Sequence, residues 1–408
     1  MNMTDEIKAL FDRLSELAGG EENRRRLAMW PERFRPSAYE PGLIPPLARE
    51  HREEKRPPLS ADWDRLQWSR LLGFDISRYY TDPLCYLRWT LEINLFRFDR
   101  FLDDTPLTRT VPIFLGVAME PNFFGVPILY SDRHEPLFTS DGAVVRERGD
   151  LVKLKVPDFR RAGLMPLARR FYDTIRSLAP EGWAVDFPVW LRGPFGVACG
   201  IRGMQALLVD MIDDPPLVHE LMALIVEARG AFTRVRREIT GGEEIEHGCA
   251  ENDLANDEVS VPIVSPELCE ELILPYEQKL EERYGGVHWW HSCGNKTPLV
   301  PAIQRAFDRV GFVDFALWSD DLQRAVRALD PGIPFHVRPA ARDIAERGEE
   351  IIRNSIAGIF SVCRGRSFAL RVDGLQPERP GPEQVAAVQR YLRLARRVGE
   401  EHAELWGG

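Results

Sequence analysis

The sequence predicts an α/β fold, a (β/α)8 TIM barrel preceded by a mostly helical extension. Short apolar runs alternate with amphipathic stretches from about residue 110 to 400, a pattern typical of parallel strands joined by crossover helices. About seven or eight such units fit this length, which suits a barrel better than an open sheet. No glycine-rich phosphate-binding motif follows a predicted strand, so nucleotide-binding folds lose support.

The amino-terminal quarter of the chain differs from the rest. Residues 4–30 have the spacing of an amphipathic helix, whereas residues 31–60 are rich in proline and charge, which disfavours regular structure. Residues 61–100 return to mixed helical signals. We therefore assign residues 1–108 to a helical and irregular extension, and residues 109–408 to the barrel.

The predicted strands share an apolar composition that is rich in β-branched or aromatic residues. In chain order they are 111–118, 183–191, 243–249, 287–291, 312–318, 333–337 and 368–372. The predicted helices follow the helical spacing of apolar residues, and they are 204–212, 215–232, 266–284, 297–307, a helix from 319, 347–363 and 382–398. The helix 266–284 has the clearest boundaries, with Ser265 as N-cap, Pro266 at its first position and Gly285–Gly286 beyond its end.

Composition narrows the classes of function. The 408 residues are 44% hydrophobic and 28% charged, and the net charge is -10. An acidic surface repels phosphate backbones, so we do not expect a nucleic-acid partner. We find no signal peptide and no apolar run of membrane-spanning length. The 6 cysteines are too scattered for a disulfide framework, so we expect a cytoplasmic protein with reduced thiols.

Ionisable or aromatic side chains lie at, or just beyond, the carboxyl ends of five of the predicted strands. Active sites of such barrels lie at the carboxyl ends of the strands, so these residues are the candidate site. A single polar residue at a strand end is often only a helix cap or a surface group, but five such ends indicate a functional rim. The candidates, strand by strand, are Glu251, Asn252 and Asp253; His291 and Cys293; Trp318 and Asp320; His336 and Arg338; and Arg371 and Asp373.

The stretch "HWWHSCGN", residues 288–295, holds the most specific pair of candidates. Successive side chains of a strand point to opposite faces, so His291 and Cys293 share a face while His288 and Trp290 take the other. A thiolate and an imidazole on one face suit zinc. The pair alone is weak evidence for a metal, since many such pairs bind nothing.

Several stretches resemble the uroporphyrinogen decarboxylase superfamily, and their order along the chain is that of the family. They are "LVKLKVPDF" (151–159), "LRGPFGVACGIRGMQALLVDMIDDPPLVHELM" (191–222), "ENDLANDEVSVPIVSPELCEELILPYEQKL" (251–280), "HSCGN" (291–295) and "DGLQPERPGPEQVAAV" (373–388). The resemblance covers roughly residues 110–400 and implies the same (β/α)8 barrel.

The resemblance also favours one branch of the superfamily. True decarboxylases carry an N-terminal R-Q-A-G-R signature that binds substrate carboxylates, and nothing between Met1 and Phe114 matches it. The cobalamin-dependent methyltransferases use H-x-C and a later cysteine to bind a zinc ion, which holds a substrate thiol as a thiolate. "HSCGN" is similar to the first half of that site.

The third ligand departs from the family pattern. Cys363 follows Ile352, Ile356 and Ile359 at helical spacing, so we expect it to close a helix away from the rim. Asp373 stands where the family's later cysteine is found. Two alternatives stay open: a metal site of His291, Cys293 and Asp373, or a site that no longer binds zinc.

Three functions follow from these residues. The first is a corrinoid-dependent methyltransferase with zinc as cofactor, a methylcorrinoid as co-substrate and a corrinoid protein as partner; a homodimer is compatible with the sequence. The second is a decarboxylase of a carboxylate-rich substrate, and the third is a non-catalytic corrinoid or tetrapyrrole binder. The residues expected to act in catalysis are Glu251, Asp253, His336 and Arg338, and those expected to bind the cofactor are Asn252, Trp318 and Arg371.

Overall fold

The structure is a computed structural model, and it describes residues 2–32, 43–47, 51–52, 54–242, 252–345, 348–373 and 381–402. The chain divides into two compact units. The first unit comprises Met1–Pro112, Asp173–Asp186 and Phe312–Gly408, and the second comprises Ile113–Tyr172 and Phe187–Gly311.

Strands and helices alternate along the described residues. The strands are β1 Leu59–Asp62, β2 Thr110–Pro112, β3 Ala184–Asp186, β4 Asp253–Ala255, β5 Val287–His291, β6 Val310–Ala316, β7 Phe335–Arg338 and β8 Phe368–Asp373. The helices are α1 Met3–Ala18, α2 Glu21–Leu27, α3 Arg65–Leu72, α4 Ile76–Tyr79, α5 Pro83–Arg100, α6 Met119–Phe123, α7 Arg148–Leu151, α8 Met165–Leu178, α9 Pro194–Arg202, α10 Met204–Asp213, α11 Pro215–Thr240, α12 Pro266–Leu268, α13 Leu274–Tyr284, α14 Val300–Ala306, α15 Leu322–Ala328, α16 Ala341–Ala345, α17 Glu349–Val362 and α18 Pro382–Glu401.

The first unit contains parallel strands in the order β1-β8-β7-β6, and β2 pairs in parallel with β3. The segment that we assigned to an extension therefore supplies a strand, because Leu59 of β1 lies opposite Leu370 of β8. Asp104, which is fully buried, fastens the start of β1 by accepting from the backbone N–H of Leu59 at 2.9 Å and from Arg56 Nη1 at 2.6 Å. The domain boundary after residue 108 stays a prediction.

The second unit contains β4 and β5, which are parallel with Ala255 opposite His291. The run that precedes α9 lies along the other side of β4, since the N–H of Ala255 donates to Leu191 O and the N–H of Gly193 donates to Ala255 O, both at 3.1 Å. Three neighbouring chain segments therefore reach their carboxyl ends together in this unit.

The long helix predicted over 266–284 begins as expected but is interrupted. The side chain of Ser265 accepts from the N–H of Leu268, and α12 then passes into a π-helical turn, Cys269–Ile273, before α13. Pro275, near the start of α13, lacks an N–H and its ring collides with the carbonyl four residues earlier, which explains the widened turn.

Other predicted elements are confirmed, shorter or not described. Strands β5 and β8 lie where the apolar runs predicted them, whereas β2 and β3 are only three residues long, shorter than the runs that predicted them. The predicted strand 243–249 lies outside the described residues. Among the described residues no single helix is both long enough and apolar enough to cross a membrane. Helices α9 and α10 have the required length and apolarity only when they are counted as one segment, and the two are bent by 106° relative to each other.

Candidate functional site

Three potential metal ligands converge in the second unit, at the carboxyl ends of β4 and β5. Cys293 Sγ donates to Asp257 Oδ1 at 3.2 Å. His291 Nε2 lies 3.3 Å from Cys293 Sγ and 3.4 Å from Asp257 Oδ1. The ligand atoms of all three residues lie within 4.8 Å of one another. His291 is buried, Asp257 is half-buried and Cys293 is exposed, so the cluster is accessible from one side.

The two strands bring these residues together. His291 ends β5, and Cys293 follows two residues later on the same face, as the strand alternation predicted. Asp257 comes two residues after Ala255, the last residue of β4. The N–H of Asn256 donates to His291 O at 2.8 Å, which keeps the two chain segments in register beyond the ends of the strands.

The loops that follow the strands are also held together. The N–H of Val261 donates to Asn295 O at 2.9 Å. Gly294 passes so close to buried Ser260 that a Cβ at position 294 would collide with Ser260 Oγ. Glycine is thus required immediately after Cys293 if the two loops are to touch.

Arg192 places a positive charge beside the cluster. Its Nη1 lies 3.5 Å from Asp257 Oδ2, and its Nη2 forms an ion pair with Glu258. Burial alone would raise the pKa of Asp257, but the hydrogen bond from His291 and the charge of Arg192 outweigh it and hold that pKa far below its usual range. Burial raises the pKa of Glu258, and Arg192 only partly opposes this.

The backbone of Arg192 is fastened by a buried acid. Glu120 Oε1 accepts from the N–H of Leu191 at 2.7 Å and from the N–H of Arg192 at 3.2 Å. Burial raises the pKa of Glu120, against these hydrogen bonds and the charge of Arg192. The two hydrogen bonds to Glu120 hold the backbone of Arg192 in the segment that pairs with β4, and this places the Arg192 guanidinium beside the cluster.

A second buried acid lies behind the cluster. Glu277 is fully buried; its Oε1 accepts from Asn256 Nδ2 at 2.7 Å and its Oε2 accepts from Trp290 Nε1 at 2.9 Å. Burial raises the pKa of Glu277 to about 7, although both hydrogen bonds act to lower it.

The arrangement of Asp257, His291 and Cys293 fits a tetrahedral zinc ion. Zinc bonds of ~2.0–2.3 Å to oxygen, nitrogen and sulfur place neighbouring ligand atoms roughly 3.3–3.8 Å apart. The observed separations of 3.2, 3.3 and 3.4 Å are close to this range. Three protein ligands leave a fourth position for a substrate atom, as in catalytic zinc sites.

Two of the candidate residues lie at the amino end of β4 and not at its carboxyl end. Asp253 is the first residue of β4 and Asn252 directly precedes it, whereas the strand predicted before them, 243–249, lies outside the described residues. Asn252 Nδ2 donates to Gly286 O at 2.8 Å, and Asp253 Oδ1 lies 2.8 Å from His288 Nδ1. Glu251 lies outside the described residues. The residues beyond the carboxyl end of β4 include Asp257 and Glu258. Neither these two residues nor Arg192 is among the candidates predicted from the sequence.

The other candidate residues lie in the first unit. His336 is buried, its Nε2 is 2.8 Å from Ile44 O, and its ring stacks on Trp30, so it has the surroundings of a core residue. Arg338 Nη1 donates to Asp314 Oδ2 at 3.1 Å, and its guanidinium lies 4.9 Å from the centre of the half-exposed Trp318 ring.

Two further candidates lie close to these in the chain. Asp320 accepts from the N–H of Ala316 at 2.9 Å, which is a local turn contact. Arg371 is buried within β8.

Asp373 is the third metal ligand that the sequence predicts. Asp373 ends β8 opposite Asp62, and the side chain of Asp373 lies outside the described residues. Its convergence with His291 and Cys293 stays a prediction. Cys363 does close helix α17, where its N–H donates to Ile359 O at 3.0 Å, as the spacing predicted.

Comparison with known proteins gives the family. The model of the uroporphyrinogen decarboxylase (URO-D) family matches residues 109–332, more than half of the chain. The chain belongs to the uroporphyrinogen decarboxylase family. No curated protein matches the sequence. Among solved structures, a methyltransferase from Methanosarcina mazei is similar with a TM-score of 0.63 and 13% identity, over 85% of this chain and 95% of that one.

These similarities confirm two predictions. The family match confirms the superfamily recognised from the sequence, and the structural similarity confirms the predicted fold class. At 13% identity the likeness to the methyltransferase concerns the fold, so the reaction has to be argued from the site.

Proposed function

We propose that this member of the family is a methyltransferase that moves a methyl group from a methylated corrinoid, bound to a partner protein, to a small thiol acceptor. The observation that carries the proposal is the cluster of Asp257, His291 and Cys293, with its oxygen, nitrogen and sulfur donors. The donors and their separations suit zinc. When bound, zinc would act as a Lewis acid that lowers the pKa of a coordinated thiol.

Residues around the cluster keep Asp257 in the state that binds a metal and leave Cys293 accessible. Arg192 and the hydrogen bond from His291 keep Asp257 ionised, and a carboxylate ligand must be ionised to bind a metal. Exposure of Cys293 at the outer edge of the cluster leaves a side from which an acceptor can approach. In the reaction the acceptor thiol first loses its proton to solvent. A bond then forms between its sulfur and the methyl carbon, while the cobalt–carbon bond breaks and its electron pair stays on the corrinoid.

The donor set also bears on the acceptor. One thiolate and one carboxylate balance the charge of Zn²⁺, as two thiolates would. The carboxylate is the harder ligand of the two kinds. A harder ligand set makes the metal more Lewis-acidic. We therefore expect strong activation of a thiol. Asp373 remains the alternative proposal for the third ligand, in place of Asp257.

The description of the family favours the alternative function, a decarboxylase. The surroundings of the side chains that this reaction needs give it less support. It needs Arg338 and Arg371 to bind substrate carboxylates. Arg338 is paired with Asp314 and lies over Trp318, and Arg371 is 2% exposed. Metal dependence separates the two reactions.

The test has two steps. Chain purified without chelator should contain about one zinc ion per molecule by mass spectrometry, and Cys293→Ala should remove most of it, whereas Cys363→Ala, at a buried helix end, should not. Incubation with methylcobalamin and a thiol should then remove the methylcobalamin spectrum in wild type and not in Cys293→Ala. Wild-type chain that stays free of metal in zinc-supplemented buffer would refute the proposal.

A further inference from the structure

Glu277 links the two chain segments that carry the proposed ligands Asp257 and His291. Its two carboxylate oxygens accept from Asn256 Nδ2 and Trp290 Nε1. Each donor residue directly precedes one ligand in the chain. The backbone bond from the N–H of Asn256 to His291 O closes the connection between the segments.

We infer that Glu277 is a positioning residue of the metal site, which sets the direction of the Asp257 and His291 side chains through Asn256 and Trp290. The inference rests on the proposed function, since it concerns the same metal site. Outer groups that orient ligands in this way commonly change metal affinity about 10–100-fold when they are removed.

The helix that carries Glu277 is interrupted just before this residue. The π-helical turn Cys269–Ile273 directly precedes α13, which begins at Leu274 and holds Glu277 in its first turn. A π-helical turn inserts one residue and so rotates the following helix by roughly 100° relative to an uninterrupted one. The turn therefore determines which side chains of α13 are buried, and Glu277 is one of them.

The other side of Asn256 is confined as well. A Cβ at Gly193 would collide with Asn256 Oδ1, so the amide packs directly against the Gly193 backbone. Asn256 is fully buried. With Glu277 on one side and Gly193 on the other, the residue before Asp257 has little freedom to move.

Burying a carboxylate lowers the stability of a folded protein. Burial raises the pKa of Glu277 to about 7, which shows that its ionised form is disfavoured at this place. An apolar side chain of similar volume would avoid that penalty. A role in holding Asn256 and Trp290 gives a physical reason for an acid here.

The chain offers a matched control at the opposite end of the same two strands. Asp253 is buried at the start of β4, and its Oδ1 lies 2.8 Å from Nδ1 of His288 in β5. This contact joins β4 to β5 as the Glu277 contacts do, but it lies at the amino ends of the strands, away from Asp257 and His291.

The experiment measures Co²⁺ binding to the full chain by absorption spectroscopy, with folding checked by circular dichroism. Glu277→Gln replaces one acceptor oxygen by an N–H donor, so one of the two hydrogen bonds is lost. We expect the Kd for Co²⁺ to rise about 10-fold or more, with a changed visible spectrum. Asp253→Asn should keep both within about twofold of wild type.

Each outcome decides the inference. If Glu277→Gln retains the Kd and spectrum of wild type, or if Asp253→Asn changes them equally, Glu277 does not position the ligands. If wild type binds no Co²⁺, the proposed function fails and this inference fails with it, whereas the first two outcomes leave the proposed function standing. Should Glu277→Gln not fold, Trp290→Phe removes one donor with Glu277 in place, and an unchanged Kd and spectrum there would also overturn the inference.

Discussion

Glu277 should make the stability of the metal-free chain depend on pH. Its pKa is raised from 4.5 to about 7 in the folded chain. One pKa unit corresponds to ~1.36 kcal/mol, so the full effect is about 3 kcal/mol. Because the folded state holds the proton more tightly, this stability is present below the ordinary pKa and is lost as the pH rises through 7.

The assay is urea unfolding in the presence of chelator at pH values from about 5 to 8. Glu277→Gln has no proton to lose at this position. The free energy of unfolding of wild type should therefore fall by about 2.5 kcal/mol more than that of the variant over this range. Parallel profiles for the two proteins would refute the reasoning, because they would mean that Glu277 titrates alike in the folded and unfolded chain.

Three further predictions follow from the structure. Asp257→Ala should lower the zinc content measured by mass spectrometry more than Asp373→Ala does, and the reverse order would make Asp373 the third ligand. Gly193→Ala should destabilise the chain by about 1–3 kcal/mol in urea unfolding, because its Cβ would collide with a buried amide oxygen; Gly358→Ala, in a helix with nothing within 4 Å of the added Cβ, is the control and should not destabilise. Asp104→Asn should cost about 3–5 kcal/mol in the same assay, since it removes the buried anionic partner of the Arg56 guanidinium, and a loss below about 1 kcal/mol would contradict this.

The sequence by itself determined the features that depend only on residues close together in the chain. The alternation of strands and helices predicted the fold class, and the two-residue period of a strand placed His291 and Cys293 on one face. The helical spacing that ends at Cys363 predicted that this residue closes a helix, and Cys363 does lie at the end of α17. Each of these conclusions needs only the geometry of neighbouring residues, which the sequence contains directly.

Tertiary structure decided the features that depend on distant partners. Strand β4 has only three residues, and pairing of Ala255 with His291 determines where it ends; for this reason Asp257 belongs to the site and Asp253 lies at the other end of the strand. The ion pair of Arg192 with Glu258 likewise joins residues that are far apart in the chain. Register between strands and the contacts of buried charges arise from long-range packing, so no local pattern in the sequence contains them.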